Sequence, residues 1–411
     1  MTTRALDAQV QVRLAGRMGS FPPYPLADVP RIKRELIAQG VDVIDLGAGD
    51  ADLAPPPAAV RALREAAAEP AMSRYPFQLG LPAFRESVAA WMQRRFGVTL
   101  DPFAEIHPLI GSKEGIAHIA LAYVGPGDAT VMPDPGYQPY LGGTLLAGGV
   151  PHAVPLREEN GFLIDLESLP RDVVARMRVL YMNYPNNPTA ATAPREYLEA
   201  AVAFCREHGA LLVFDNAYSE IGFDGYRAPS ILEIEGAREI AVEFHSFSKT
   251  FNMTGWRMGW AAGARATIAA LARVKAAVDT GQFLPIQAAA VAALESAHEW
   301  VPSNVSEFQA RRDALVTALR ENGMDVPLPR ATMYVWVAVP RGIASEVFAR
   351  SALLEEGVVI MPGAAMGKGG EGYFRLALTQ APERLALAAQ RLARVASGAG
   401  TTAGRGVSNA G

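Results

Sequence analysis

The sequence predicts a two-lobed α/β protein, with a larger lobe built on a mainly parallel sheet and a smaller α+β lobe. Three observations support this prediction. The chain has 411 residues, more than one simple core usually needs. Apolar residues make up 50% of it and charged residues 19%, which is typical of a folded globular protein. Between about residues 105 and 265, short apolar runs alternate with alanine-rich amphipathic segments, a pattern typical of strand–helix units.

The strands of the larger lobe are predicted from short apolar runs bounded by turn residues. They cover 129–132, 179–183, 211–215, 240–245 and 258–262. In parallel sheets, ligands bind beyond the carboxyl ends of the strands. We therefore expect the polar loops 183–189, 215–218 and 246–249 to meet in one crevice.

The smaller lobe is predicted from the change of pattern after about residue 290. A helix is expected at 310–322, and strands are expected at 43–46, 334–339, 358–361 and 373–378. Together these elements predict a large domain over 51–289 and a small domain formed by 1–50 and 290–395. Residues 396–411 have too few apolar side chains to offset their ordering entropy, so this tail is expected to be disordered.

Composition and charge exclude several classes of function. The net charge is −4, and the sequence contains no block of basic residues that could follow a phosphate backbone. A nucleic-acid partner is therefore not expected. The single cysteine, Cys205, cannot form an intrachain disulfide, and the six histidines show no metal-ligand spacing, so no metal is expected. No apolar run is long enough for a membrane span or a secretory signal. A cytoplasmic protein without a membrane partner is therefore expected.

The most informative segment places Lys249 among aromatic and hydroxyl residues, eight positions before Arg257. Burial would favour the neutral amine, the form that attacks a carbonyl carbon. Ser246, Ser248 and Arg257 offer hydrogen-bond donors suited to a phosphate. A lysine that merely extends from the edge of a core is the alternative interpretation of this segment.

Two other predicted strand ends carry polar groups. Asn187 lies in the proline-bounded loop 183–189, and Asp215 ends an apolar strand three residues before Tyr218. Burying Asp215 would require a cationic partner, and a protonated pyridine nitrogen would be one. Asn187 and Tyr218 could hydrogen-bond the phenolic oxygen of the same ring.

With these motifs the chain resembles the fold-type I pyridoxal-phosphate aminotransferases of class I/II. The lysine motif, the Asn-Pro-Thr loop, the Asp-x-x-Tyr strand end and a C-terminal arginine motif occur in the family's order and at family-like spacing. The resemblance implies that pyridoxal 5′-phosphate is the cofactor. It also implies three catalytic residues: Lys249 as the Schiff-base lysine, Asp215 as the partner of the pyridine nitrogen, and Tyr218 beside the ring oxygen.

The resemblance implies further contacts to the cofactor and to the substrate. The expected cofactor contacts besides Lys249 and Asp215 are Tyr75, Ser112, Lys113, Tyr137, Asn187, Tyr218, Ser246, Ser248 and Arg257. Gly49, Asn187 and Arg375 are expected to bind the substrate, with Arg375 clamping its α-carboxylate. Tyr75 resembles the tyrosine that reaches the phosphate of the neighbouring subunit. A homodimer with shared active sites is therefore expected.

Only the resemblance to known aminotransferases narrows the choice of substrates. Segments 21–24, 43–50 and 362–372 are most similar to diaminopimelate-type aminotransferases, which implies LL-diaminopimelate with 2-oxoglutarate. Other amino acids, such as alanine, aspartate or succinyldiaminopimelate, stay open as donors. A carbon–sulfur β-lyase also stays open, because the same lysine and aspartate serve that reaction. Ala190 stands where the family usually has glycine, so the shape of the pocket is expected to differ there.

Overall fold

The computed structural model describes residues 13–22, 28–77, 79–340 and 342–398. Parts of four predicted segments lie outside these residues. They are 1–12, 23–27 and 341 of the predicted small domain, 23–24 of the segment 21–24, residue 78 of the predicted large domain, and 399–411 of the predicted disordered tail.

The strands of the described residues are short and mostly buried. They are β1 Ile44–Asp45, β2 Ile106–Leu109, β3 Ala129–Asp134, β4 Val150–Pro155, β5 Met177–Met182, β6 Leu211–Asp215, β7 Ala241–Ser246, β8 Gly259–Gly263, β9 Tyr334–Ala338, β10 Val358–Val359, β11 Met361–Pro362 and β12 Tyr373–Ala377. Strands β2 and β4 were not predicted from the sequence. Pro108 interrupts the apolar run of β2, and β4 is a half-exposed edge strand that contains two prolines.

Seven strands form the large sheet, in the order β2-β8-β7-β6-β5-β3-β4. The pairs from β7 through β6, β5 and β3 to β4 are all parallel, and only β8 runs in the opposite direction, pairing antiparallel with β7 and with β2. The predicted α/β class with a mainly parallel sheet is thereby confirmed. Strands β6, β7 and β8 are buried along their whole length, which explains why they read as continuous rather than alternating apolar runs.

A second, smaller set of strands lies apart from the large sheet. Strands β11, β12 and β9 form an antiparallel sheet, and β1 pairs in parallel with β10. Ile44 and Leu46 of the β1 segment share a buried cluster with Leu315 and Leu376. Residues far apart in the chain thus form one core. The exact domain limits at 51–289 and 290–395 stay predictions.

The helices cover both faces of the large sheet and surround the small one. They are α1 Val29–Ala38, α2 Pro57–Ala68, α3 Pro82–Phe96, α4 Ser112–Tyr123, α5 Gln138–Ala147, α6 Arg171–Arg176, α7 Arg195–His208, α8 Ala237–Ile240, α9 Phe247–Thr250, α10 Arg265–Val278, α11 Leu284–Glu295, α12 Ala297–Glu321, α13 Ser345–Glu356 and α14 Pro382–Ala396. Helix α12 has 25 residues and begins well before the predicted 310–322. Within the described part of the chain, no helix combines the length and apolar character needed to cross a bilayer.

The sheet order places three functional loops side by side. Strands β5, β6 and β7 are adjacent and parallel, so their carboxyl ends lie at one edge of the sheet. Asn183, Asp215 and Ser246 stand at these ends. The loops that follow therefore open into a common crevice.

Candidate active site

A cavity of about 600 Å³ lies at this edge of the large sheet. All of the predicted site residues except Tyr75 line it. They are Gly49, Ser112, Lys113, Tyr137, Asn187, Asp215, Tyr218, Ser246, Ser248, Lys249, Arg257 and Arg375. The structure thus brings together residues up to 326 positions apart, from Gly49 to Arg375.

Lys249 extends into the crevice from the short helix α9. Phe247 and Phe251 of the same segment are fully buried and stack on each other with ring centroids 5.2 Å apart, which fixes the opposite side of α9 in the core. The Lys249 ammonium donates a hydrogen bond to the carbonyl oxygen of Gly49. Burial lowers the pKa of Lys249, and the positive charges of Arg375 and Arg257 add to this effect. A larger fraction of neutral amine than an exposed lysine provides is therefore available.

Asp215 lies at the end of β6 and is 4% exposed. Its Oδ2 accepts a hydrogen bond of 2.9 Å from the hydroxyl of Tyr140, whose ring stacks on Tyr181 at 4.9 Å. Burial raises the pKa of Asp215 to about 6, although the hydrogen bond from Tyr140 opposes the rise. Tyr140 was not predicted as a site residue from the sequence. Its position, three residues after Tyr137 at the start of α5, was the available signal, because residues three apart on a helix share a face.

Ser112 and Arg257 form two walls of a concave polar site. Ser112 begins α4 directly after Gly111, whose φ is 75°. A Cβ atom on Gly111 would lie 2.4 Å from Nη2 of Arg257, so only glycine allows the guanidinium to approach this turn. The free N–H groups and positive dipole end of α4 also favour an anion here.

The hydroxyls of Ser246 and Ser248 line the same crevice. Ser246 Oγ accepts a hydrogen bond of 3.1 Å from the backbone N–H of Ser248 and thereby caps α9. Its own hydroxyl hydrogen stays available for a further acceptor. The serines thus cap the helix and can still contribute to an anion site.

Arg375 and Asn187 meet on the other side of the crevice. Arg375 Nη1 donates to Asn187 Oδ1 at 2.7 Å, and Nη2 donates to the carbonyl oxygen of Gly47 at 2.7 Å. Arg375 is 5% exposed on the buried strand β12. A buried guanidinium held mainly by neutral acceptors is well suited to bind a carboxylate.

Tyr334 is a second residue of the site that was not predicted from the sequence. Its hydroxyl lies 3.1 Å from that of Tyr218, and its ring lies beneath Arg375, 4.1 Å from the guanidinium carbon. A Cβ atom on Gly49 would lie 2.0 Å from the Tyr334 hydroxyl oxygen, so the segment around Gly49 passes closely over this ring. The predicted strand at 334–339 contained Tyr334, but its apolar neighbours gave no sign of a polar contact.

Burial and neighbouring groups together set the pKa values of this tyrosine pair. Burial alone would raise the pKa of Tyr334, but Arg375 and Lys249 outweigh it, so the pKa of Tyr334 is lowered. The pKa of Tyr218 is raised by burial and by Tyr334. The Tyr218 hydroxyl therefore keeps its proton and can donate a hydrogen bond.

Tyr75 lies outside the crevice. It is 68% exposed, and its ring is 5.8 Å from that of Phe77, which is 66% exposed. A third exposed aromatic residue, Phe283, lines the same surface hollow. The predicted contact of Tyr75 with a neighbouring subunit stays a prediction.

Unpartnered polar atoms show what the crevice can bind. Asp215 Oδ1 and Arg375 Nε are both buried and have no hydrogen-bond partner among the described residues. Asp215 Oδ1 can accept a hydrogen bond from a cationic or N–H group, and Arg375 Nε can donate one to an anion. Pyridoxal phosphate has a protonatable ring nitrogen and a phosphate, and an amino acid adds a carboxylate. The residues present therefore fit this cofactor with its substrate.

Comparison with known families agrees with this geometry. A family model described as aminotransferase class I and II matches residues 41–392. The chain belongs to the class I and II aminotransferases. It is accordingly a pyridoxal-phosphate-dependent transaminase, which acts on amino acids and 2-oxo acids.

This aminotransferase is similar to curated relatives over nearly its whole length. An LL-diaminopimelate aminotransferase of Desulforudis audaxviator is 50% identical over 378 residues, which cover 92% of this chain and 96% of that relative. An LL-diaminopimelate aminotransferase of Moorella thermoacetica is 48% identical, covering 93% of this chain and 98% of the relative.

Solved structures show the same fold. Substrate-bound BacF from Bacillus subtilis matches this aminotransferase with a TM-score of 0.90 and 33% identity, covering 93% of this chain and 98% of that one. A probable N-succinyldiaminopimelate aminotransferase from Thermus thermophilus matches with a TM-score of 0.85 and 38% identity, covering 89% and 98%. The predicted fold-type I architecture is confirmed.

The departure at Ala190 has a measurable consequence. Ala190 adopts a φ of 59°, in the left-handed region that favours glycine. We expect Ala190→Gly to raise the free energy of unfolding by about 0.5–1 kcal/mol, because relief of the backbone strain exceeds the added entropy of the unfolded chain. The shift of the urea midpoint of the cofactor-free protein measures this effect. Ala191→Gly, at a residue without positive φ, is the control and should lower the midpoint.

Proposed function

We propose that this aminotransferase moves an amino group from LL-diaminopimelate to 2-oxoglutarate. The observation that carries the substrate class is the buried Arg375, whose Nε faces no partner among the described residues and which lies in one crevice with Lys249. The choice of LL-diaminopimelate is supported by the activity named for relatives that are 48–50% identical over more than nine-tenths of the chain.

In the proposed mechanism, Arg375 and Asn187 orient the substrate. Arg375 exchanges its bond to the Gly47 carbonyl for a two-pronged bond to the α-carboxylate, which gains a charge-assisted interaction. Gly49 lies next to this position, and the absence of a side chain there lets the backbone cover the carboxylate. These contacts place the Cα–H bond of the substrate beside Lys249.

Lys249 supplies the acid–base chemistry. Its lowered pKa allows the neutral amine to accept the proton from the substrate Cα. In the reverse half-reaction the protonated amine donates a proton to Cα of the 2-oxo acid that is being aminated. The cofactor, when bound, supplies an aldehyde that condenses with amines and a cationic ring that withdraws electrons from Cα. Asp215 would stabilise the cationic ring nitrogen, Asn187 and Tyr218 would hydrogen-bond the ring oxygen, and Tyr137 would stack on the ring. Ser112, Ser246, Ser248 and Arg257 would hold the phosphate.

Lys113 supports a substrate with a second charged end. Its ammonium lies 5.8 Å from the ring centroid of Tyr137, at the wall of the crevice. A cation here can bind the distal carboxylate of diaminopimelate or of 2-oxoglutarate. The cavity of about 600 Å³ has room for the cofactor and a seven-carbon diacid.

We also propose that the enzyme is a homodimer. Tyr75, Phe77 and Phe283 form an exposed aromatic surface, and surfaces of this kind mark sites of association. A second copy covering this surface would bring Tyr75 to the phosphate of the neighbouring site, as the resemblance implies.

The proposed substrates are tested by two half-reactions. LL-diaminopimelate added alone to the cofactor-loaded enzyme should convert the visible absorbance of the bound cofactor to that of its aminated form, and 2-oxoglutarate should restore it. We expect kcat/KM for LL-diaminopimelate to exceed that for alanine or aspartate by about 10²-fold or more, because only a longer diacid contacts both Arg375 and Lys113.

The control variant Lys113→Met separates the two ends of the substrate. It should lower kcat/KM for LL-diaminopimelate by about tenfold and leave that for alanine nearly unchanged. Equal rates with alanine or succinyldiaminopimelate would reject the proposed donor. Release of pyruvate from a cysteine conjugate without conversion of the cofactor would instead identify a β-lyase.

A further inference from the structure

Lys275 is a buried cation outside the crevice. It lies on α10, and its side chain has no exposed surface. Its ammonium contacts the carboxylates of Glu114 on α4 and Asp279 just beyond α10, the latter at 3.1 Å. Burying an ammonium group is expensive, and these two carboxylate partners offset that cost.

The first partner shapes the wall of the phosphate site that α4 provides. Glu114 Oε1 accepts a hydrogen bond of 3.0 Å from the backbone N–H of Ile110. This bond closes the turn through Gly111 to Ser112, where α4 begins. The position of Glu114 therefore decides how the first N–H groups of α4 and the Ser112 hydroxyl face the crevice.

The second partner leads to the opposite wall. Asp279 Oδ1 accepts a hydrogen bond of 2.7 Å from the backbone N–H of Gly281, which sets the turn before Gln282. The side-chain amide of Gln282 donates to the carbonyl oxygens of Trp256, at 2.9 Å, and Arg257. Arg257 has a φ of 57°, so its left-handed backbone depends on such support from its neighbours.

A bound metal ion is not needed to explain the acidic groups. Glu114, His118 and Asp279 place ligand-type atoms within 4.8 Å of one another. The ammonium of Lys275 already lies against both carboxylates, and His118 Nδ1 contacts Glu114 Oε2 at 2.8 Å. The protein thus supplies its own cation at this point.

We propose that Lys275 is a positioning residue, whose ammonium holds the α4 wall and the Arg257 wall of the phosphate site at the correct separation. The inference rests on the proposed phosphate site of Ser112 and Arg257. It extends that proposal to a group without contact to the cofactor, acting through Glu114 on one side and through Asp279 and Gln282 on the other.

The test compares two ligands that differ only in the phosphate. Dissociation constants of pyridoxal phosphate and of pyridoxal are measured with the cofactor-free wild type and with Lys275→Met, by quenching of tryptophan fluorescence. We expect Lys275→Met to weaken binding of pyridoxal phosphate by about tenfold or more, the effect of misplacing one or two hydrogen bonds to a charged group. Binding of pyridoxal should change less than about twofold, because its ring contacts are unaffected.

Two further variants keep the test decisive. Arg312→Met removes a comparably buried cation that pairs with Asp224 and Asp313, away from the phosphate site. It should destabilise the protein without changing the ratio of the dissociation constants of pyridoxal and pyridoxal phosphate. In Lys275→Met the carboxylates of Glu114 and Asp279 are left without the ammonium between them and repel each other. The double variant Glu114→Gln/Lys275→Met removes this repulsion and should therefore fold more readily than Lys275→Met. The double variant still lacks the ammonium and should also lose affinity for pyridoxal phosphate.

Each outcome supports the inference or rejects it. Equal losses for both ligands would show a general structural role and reject positioning. A double variant that folds and keeps the wild-type ratio would reject it as well. A wild type that binds pyridoxal as tightly as pyridoxal phosphate would instead reject the phosphate site itself, and with it the inference.

Discussion

Replacing Lys249 by alanine is expected to lower kcat for amino transfer by about 10⁴-fold or more, because the acid–base group and the amine that binds the cofactor aldehyde are both lost. The neutral form of this amine is favoured by burial, and its position beside Gly49 and Arg375 leaves it facing the substrate site. Single-turnover measurements with LL-diaminopimelate report the effect directly, since they do not depend on product release.

The matched control for this prediction is another lysine. Lys368→Ala removes an exposed lysine and should change kcat less than about twofold. Borohydride reduction of the wild type should attach the cofactor to the peptide that contains Lys249. Normal turnover by Lys249→Ala, or attachment at a different lysine in the wild type, would contradict the assignment.

Replacing Asp215 by asparagine is expected to lower kcat by roughly 10²–10³-fold, the range for losing one group that stabilises charge in a transition state. The substitution keeps the shape of the side chain and an oxygen that accepts the hydrogen bond from Tyr140, but it removes the negative charge beside the ring nitrogen. Tyr140→Phe is the control that keeps the charge, and it should lower kcat far less than Asp215→Asn.

The same carboxyl group predicts a pH dependence of stability for the cofactor-free protein. Burial raises the pKa of Asp215 from 3.8 to about 6, so between these values the folded protein binds more protons than the unfolded chain. The free energy of unfolding therefore falls as pH rises from about 4 to 6. Asp215→Asn lacks this group, so its Tm relative to wild type should be higher at pH 7.5 than at pH 4.5.

Cofactor binding should reverse this stability difference. A cationic ring nitrogen compensates the buried carboxylate, so the loaded wild type should gain more stability from the cofactor than Asp215→Asn gains. If the cofactor-free variant showed the same Tm difference from wild type at both pH values, the uncompensated charge on Asp215 would be ruled out as its cause.

Much of the fold was predictable from short apolar runs. Strand β6 was predicted with its observed ends, and β3, β5, β7 and β8 were each predicted within one to two residues at either end. These strands are largely buried on both faces, so they consist mainly of apolar residues and can be recognised in the sequence. Strand β4 was missed because an edge strand with exposed residues lacks that signal.

The residues that line the crevice were predictable where they lie together in the sequence. Lys249 with Ser246, Ser248 and Arg257 forms one local segment, and Asp215 with Tyr218 forms another. Each segment carries a recognisable combination of groups whose physical needs, such as a cation for a buried carboxylate, can be stated without coordinates. The crevice contains every predicted site residue but Tyr75.

The supporting contacts could not be predicted in this way. Tyr140 contacts Asp215 across 75 residues, Tyr334 contacts Tyr218 across 116, and Lys275 contacts Glu114 across 161. Tyrosine and lysine are common residues, and a single one within an apolar or amphipathic run resembles many that have no such partner.

The sequence by itself thus determined which polar groups line the crevice and which strand ends present them, because local composition reflects burial and turn formation. Only the tertiary structure decided which distant side chains orient those groups. Burial pairs each polar atom with the partners that the packing of the sheet and helices brings within hydrogen-bond reach, and that packing depends on the whole chain.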